Sequence, residues 1–188
     1  GTNMGVAVGD HDNDGDMDFY FSMVHGGNDA GEGHSTIVVN QGAANNYSLK
    51  WDLARIGKLD PPYASHRGDY DVTWFDMDND GLVDIAQTQG SYDANARMYL
   101  FKQDTGHKFS DMSSELGLMK SSNATNRYRN SHVVEPIDYD MDGDDDLLLA
   151  ILDSFAVSRI LQNDNGKANN WASIKLAAPA NCNKNSIG

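Results

Sequence analysis

The stretch Asp76-Met77-Asp78-Asn79-Asp80-Gly81-Leu82-Val83-Asp84 decides how this chain is read. It sets carboxylates at positions 1, 3, 5 and 9 of a nine-residue phrase and glycine at position 6. The same phrase stands at Asp10-His11-Asp12-Asn13-Asp14-Gly15-Asp16-Met17-Asp18 and at Asp138-Tyr139-Asp140-Met141-Asp142-Gly143-Asp144-Asp145-Asp146. Positions 1, 3, 5, 6 and 9 agree in all three copies, while 2, 4, 7 and 8 vary. At this content of Asp and Gly, chance would give about 0.005 such windows, so the three copies form a repeat.

Oxygen-only ligands at short spacing suit a hard cation, and Ca2+ takes six to eight oxygens in flexible geometry. The candidate ligands are the carboxylates of Asp10, Asp12, Asp14 and Asp18, of Asp76, Asp78, Asp80 and Asp84, and of Asp138, Asp140, Asp142 and Asp146. Position 7 can add its backbone carbonyl, which explains why it is free to be Asp16, Leu82 or Asp144. Glycine at position 6 admits a backbone conformation that a side chain would penalise. The expectation is about three Ca2+, one per repeat. Mg2+ fits less well, because it demands tighter octahedral geometry and keeps its waters. Zinc lacks a Cys or His pair at ligand spacing. The bland alternative, an Asp- and Gly-rich solvated turn, suits a single copy better than three in phase.

An EF-hand loop begins with the same letters but needs an acidic ligand at position 12 and a helix after it. Position 12 here is Phe21, Gln87 and Leu149, and strand-like residues follow each loop. The EF-hand reading fails on both counts.

The loops begin at residues 10, 76 and 138, so the sequence repeats with a period near 60. In the first unit Val6-Ala7-Val8 leads into the loop, and Phe19 to Val24, Thr36 to Val39 and Tyr47 to Leu53 follow it. The second gives Val72 to Phe75, Val83 to Thr88, Arg97 to Phe101 and a last strand from Lys108-Phe109. The third gives Val133 to Ile137, Leu147 to Leu152, Ser158 to Leu161 and Trp171 to Leu176. Ser113 to Leu118 is the one short helical turn expected. Four short antiparallel strands per unit, repeated in tandem, are the sequence form of β-propeller blades. The fold expected is therefore all-β: three propeller blades at 1–64, 65–128 and 129–188, the last including the start of a following segment. Pro136 suits a first strand at a sheet edge.

With Asp-x-Asp-x-Asp-Gly-x-x-Asp, a strand, and then Asn-x-Gly or Asp-x-Gly, the chain resembles the FG-GAP/VCBS repeats of integrin-α-like propellers. Met4 to Asp10, Leu161 to Gly166, and Asn170 to Leu176 with Asn185 to Gly188 resemble the secreted proteins that carry an ASPIC/UnbV domain. The resemblance implies more blades than three, supplied by the rest of a larger propeller or by neighbouring chains. Blades of the same or another chain are thus the first expected partners, and an extracellular protein or glycan is the second.

Composition narrows the function. Net charge is −14, and all but Glu32, Glu115 and Glu135 of the 28 acidic residues are Asp. Three bound Ca2+ would bring the charge to −8, so part of the acidity has an internal use. Nucleic acid is excluded as a partner, since phosphate binding needs a basic patch. No apolar run reaches membrane-spanning length. Cys182 is the lone cysteine, so no disulfide framework is expected. Calcium loops of the weak extracellular type, filling at about 10⁻⁴–10⁻³ M, point to a secreted or cell-surface protein.

Several residues invite functional readings that a plainer one outweighs. Arg67 and Arg129 each stand nine residues before a loop, where they could line a channel or pair with nearby Asp. His11, His25, His34 and His107 fall in loops without evident ligand partners. Trp51, Trp74 and Trp171 have strand context, so core packing is the default, although an exposed Trp could serve as a sugar platform. Asn46-Tyr47-Ser48 and Asn123-Ala124-Thr125 match the glycosylation sequon at about the frequency chance allows. No nucleophile elbow or phosphate loop is visible. The expected function is structure, adhesion or assembly without catalysis, the alternative being a glycan-binding or catalytic propeller of a polysaccharide-processing enzyme.

Overall fold

The computed structural model describes residues 2–24, 35–52, 68–90, 98–118, 131–151 and 158–164. The chain is all-β. Among the described residues the only helix is one turn of 3-10 helix at Ala43–Asn45.

Three antiparallel ladders run in chain order. The first comprises β1 (Thr2–Gly9), β2 (Asp18–Val24), β3 (Thr36–Asn40) and β4 (Leu49–Asp52). The second comprises β5 (Gly68–Phe75), β6 (Asp84–Gly90), β7 (Tyr99–Gln103) and β8 (Phe109–Asp111). The third comprises β9 (Ser131–Ile137), β10 (Asp146–Ile151) and β11 (Arg159–Leu161). One residue pair, Val24 with Gly68, joins the first ladder to the second. The expected strand at 171–176 lies outside the described residues, as do Arg67, Arg129, His25, His34, Asn123 and Cys182. Ser113–Leu118, expected as a single helical turn, is a hydrogen-bonded turn and not a helix, closed by Leu118 N–H on the Ser113 carbonyl at 2.8 Å.

Period-two alternation explains how the sheets stack. One face of the first sheet (Ala7, Tyr20, Ile37, Val39) packs against Val72, Ile85, Tyr99, Phe101 and Phe109 of the second, with Trp74 partly buried beside them. The other face of the second sheet (Phe75, Ala86, Leu100) meets Val134, Leu147, Leu149 and Ile151 of the third. The middle sheet is thus covered on both sides. Fully burying each Val, Leu, Ile or Phe among them contributes about 1.5–3 kcal/mol relative to leaving it in water. First strands lie beside first strands, β1 against β5 and β5 against β9. Pro136 sits in β9, which pairs with β10 alone among the described strands.

Polar groups reinforce the seams. Ser22 Oγ donates to the Tyr70 carbonyl at 2.9 Å, Ser35 Oγ to Asp69 at 2.5 Å and the Tyr20 hydroxyl to Gln87, all from the first sheet to the second. Asp71 accepts the Val134 N–H at 3.0 Å, from the second sheet to the third. Burial without water makes each unmade bond costly, so these pairings fix how one sheet sits on the next.

The outer face of the first sheet is apolar, with Val8 and Trp51 exposed at its margins and Val38 buried between them. Val8, Phe19, Val38 and Trp51 stand in register across its four strands. Trp51 corrects the core-packing default, being 56% exposed. It shares the face of Val38, which looks away from the second sheet, and the strand alternation alone could not say which face would be covered.

Candidate metal centres

Each Asp phrase connects the first strand of its sheet to the second, so the three loops occupy equivalent places. Their backbones agree closely. Position 4 is left-handed in each, at φ 56° for Asn13, 56° for Asn79 and 60° for Met141. Position 6 is left-handed as well, at φ 89° for Gly15, 86° for Gly81 and 92° for Gly143. A Cβ is strained at such angles, which accounts for the glycine.

The carboxylates at fixed positions hold this shape. Asp10 accepts the N–H groups of Asp14 (3.0 Å) and Gly15 (2.9 Å), and Asp76 those of Asp80 (3.0 Å) and Gly81 (2.8 Å). Asp138 accepts the N–H of Asp142 at 3.1 Å. Position 5 accepts from position 7: Asp14 from Asp16, Asp80 from Leu82 and Asp142 from Asp144. Position 9 bridges the loop to the end of the third strand. Asp18 accepts from Asn40, Asp84 from Gln103 and Asp146 from Asn163, each at 2.7 Å. The other oxygen of Asp18, Asp84 and Asp146 accepts the N–H of position 2.

Three carboxylates in each loop bring an oxygen within 4.8 Å of one another: Asp10, Asp12 and Asp14; Asp76, Asp78 and Asp84; Asp138, Asp140 and Asp142. Such a set could hold a hard cation. Asp18 belongs to a further group with His11 and Asp12. Asp80 and Asp146 keep the loop's hydrogen bonds, and the side chains of Asp16, Leu82 and Asp144 join none of these groups. Asp144 is buried, although Asp16 and Leu82 are only half-buried.

Burial and like charge make three of the loop carboxylates, Asp84, Asp140 and Asp145, reluctant to ionise. Desolvation raises Asp84 from 3.8 to about 6, against the pull of the Gln103 and Met77 N–H groups and of Lys102. Asp145 is raised by burial first and then by the charges of Asp138 and Asp76. Asp140 is raised by desolvation and by Asp142. A cation would relieve all three.

Some participants carry no sequence signal. Lys102 places its ammonium on Asp78 and, at 3.2 Å, on Asp80, and so stands in for a cation at the second loop. Gln162 donates to Asp140 at 2.6 Å in the third. His11 was expected to lack a partner; it is instead buried, with Nδ1 2.5 Å from Asp18, and stacks on Trp74. Contacts also run between loops and sheets. The Gln103 side chain donates to the His11 carbonyl at 2.7 Å, and Asn163 does the same to the Met77 carbonyl at 2.6 Å. Position 2 of one loop is thereby held by the third strand of the next sheet. No protein-family model matches the chain, and a search of curated proteins finds no significant match.

Proposed function

We propose that this chain is a calcium-stapled segment of an extracellular β-propeller, serving structure, adhesion or assembly and performing no catalysis of its own. The observation that supports it most is the threefold recurrence of one loop geometry. The backbone angles and carboxylate hydrogen bonds repeat, although the residues at positions 2, 4, 7 and 8 differ. The resemblance to FG-GAP/VCBS repeats points the same way, as does the packing of first strand against first strand.

In this reading Asp10, Asp12 and Asp14 hold the ion in the first loop, Asp76, Asp78 and Asp84 in the second, and Asp138, Asp140 and Asp142 in the third, while position 9 also ties each loop to the third strand. When bound, Ca2+ supplies the positive charge that offsets carboxylate repulsion. Because the unfolded chain has no assembled site, binding free energy becomes folding free energy. At free Ca2+ one hundred times the dissociation constant, each site adds about 2.7 kcal/mol. The further blades come from the same chain or another, and the remaining faces are left for a protein or glycan.

Thermal unfolding tests the reading. Chelation with EDTA lowers the melting temperature, and Ca2+ restores it where equimolar Mg2+ does not. An unchanged melting temperature after chelation overturns the proposal.

A further inference from the structure

The residue before the third-strand amide differs in chemistry among the three loops. In the first sheet it is Val39, buried in the core. In the third it is Gln162, a neutral amide on Asp140. In the second it is Lys102, whose ammonium sits on the carboxylates of Asp78 and Asp80. The donor and its acceptors are each about one-third exposed, so water screens the contact only in part.

We infer that Lys102 is a tethered cation that competes with Ca2+ for the second loop. The second site is therefore the weakest of the three, and its loop holds its shape when the metal is scarce. This rests on the calcium reading above. An ion entering among Asp76, Asp78 and Asp84 must displace the ammonium from Asp78 or share that carboxylate with it. Displacement breaks a two-acceptor ion pair, and sharing leaves two cations a few ångströms apart, which is unfavourable even at high effective dielectric. Val39 brings no charge to the first loop, so this position adds neither penalty there. At the third, Gln162 contributes a neutral hydrogen bond in place of an ion pair. Ranked by this position, affinity falls in the order first, third, second.

The ammonium also changes what happens without metal. The first and third loops keep carboxylates clustered with no charge from this position to offset them, whereas Lys102 neutralises part of the second. The middle sheet, packed on both faces, thus keeps its loop formed in the metal-free chain. Calcium sensitivity is concentrated in the outer two.

Calorimetric titration of the full chain with Ca2+ tests this, using Lys102→Gln and Lys102→Met. Gln copies the third loop, and Met keeps the apolar stem, so a packing defect in one is exposed by the other. The expected isotherm for the unaltered chain has two tighter sites and one weaker. Both variants tighten the weak site about two- to fivefold, the scale on which a partly exposed ion pair competes. Melting in EDTA is the second readout: both variants melt lower than the unaltered chain without metal, and the gap closes or reverses in saturating Ca2+. Three equal sites in the unaltered chain, or isotherms that both variants leave unchanged, overturn the inference while leaving the calcium reading intact. Failure of every protein to bind Ca2+ overturns both.

Discussion

Asn79 donates its side-chain amide to the backbone carbonyl of Gly143 at 3.0 Å, and so hooks the second Asp loop onto the third. Asn13 stands in the same relation to Gly81, at 3.4 Å. Position 4 of one loop therefore reaches position 6 of the next. The sequence shows position 4 only as variable. Its left-handed backbone explains why Asn serves twice, since Asn tolerates that region better than most residues and still carries a donor.

Met141 holds the same place in the third loop at φ 60° and is 83% exposed. Substituting Asn79 and Met141 separates the two roles of this position. Asn79→Gly loses the hook, about 1 kcal/mol, without adding backbone strain. Asn79→Ala loses the hook and adds backbone strain, for about 2 kcal/mol. Met141→Asn relieves strain and stabilises by about 0.5–1 kcal/mol. Urea unfolding with Ca2+ held constant measures all three, and equal losses for Gly and Ala would refute the strain component.

The loops and strands were legible because their causes are local. A carboxylate two or four residues from its N–H partner, a glycine at a left-handed turn and period-two alternation all fall within nine residues. What joins one unit to the next was not. Gln103 and Asn163 do the same work but lie 92 and 86 residues from their acceptors and differ in type. Lys102 reads as an ordinary strand lysine until β7 is placed beside the second loop. Trp51 shows the same limit, because alternation assigns a residue to a face without saying what covers it.

Gln103 and Asn163 yield a graded comparison. Gln103 is 1% exposed, and removing its amide strands the His11 carbonyl away from water. Gln103→Met, which preserves volume, should cost roughly 1–3 kcal/mol. Asn163 is only half-buried and its bond to the Met77 carbonyl is less enclosed than that of Gln103, so Asn163→Leu should cost less. Paired denaturation curves decide it, and a larger loss at Asn163 would mean that solvent access does not set the penalty.

The apolar row Val8–Phe19–Val38–Trp51 predicts self-association. Val6, Val8, Leu49 and Trp51 are each more than half exposed on the first sheet. Contiguous apolar surface of this kind marks interaction sites. The 188-residue chain should sediment as a concentration-dependent mixture, and the double substitution Val8→Lys with Trp51→Lys should shift it toward monomer. Both residues face away from the second sheet, so stability should change by less than about 1 kcal/mol. Sedimentation that ignores both concentration and the substitution would show the face to be inert.

Asp84 sets a pH dependence whose sign depends on calcium. Burial raises its carboxyl from 3.8 to about 6. Above pH 6 it is ionised in both folded and unfolded chains, and the folded chain bears the cost of an enclosed charge. As pH falls through 6, the folded form takes up a proton while the unfolded form waits until about 4. The folded chain binds more protons across that window, so the metal-free protein gains stability as pH drops from 6 to 4. The gain from this group is up to about 3 kcal/mol. Asp145 is raised too and acts in the same direction. With Ca2+ present the trend inverts, because the proton and the ion compete for the same carboxylates and acid releases the ion. Asp84→Asn should flatten the metal-free slope, leaving the part due to Asp145. Urea melts in EDTA at pH 4, 5, 6 and 7, repeated in saturating Ca2+, measure both slopes. If the metal-free chain instead loses stability steadily from pH 6 to pH 4, the buried carboxylate at position 9 is not what sets its acid response.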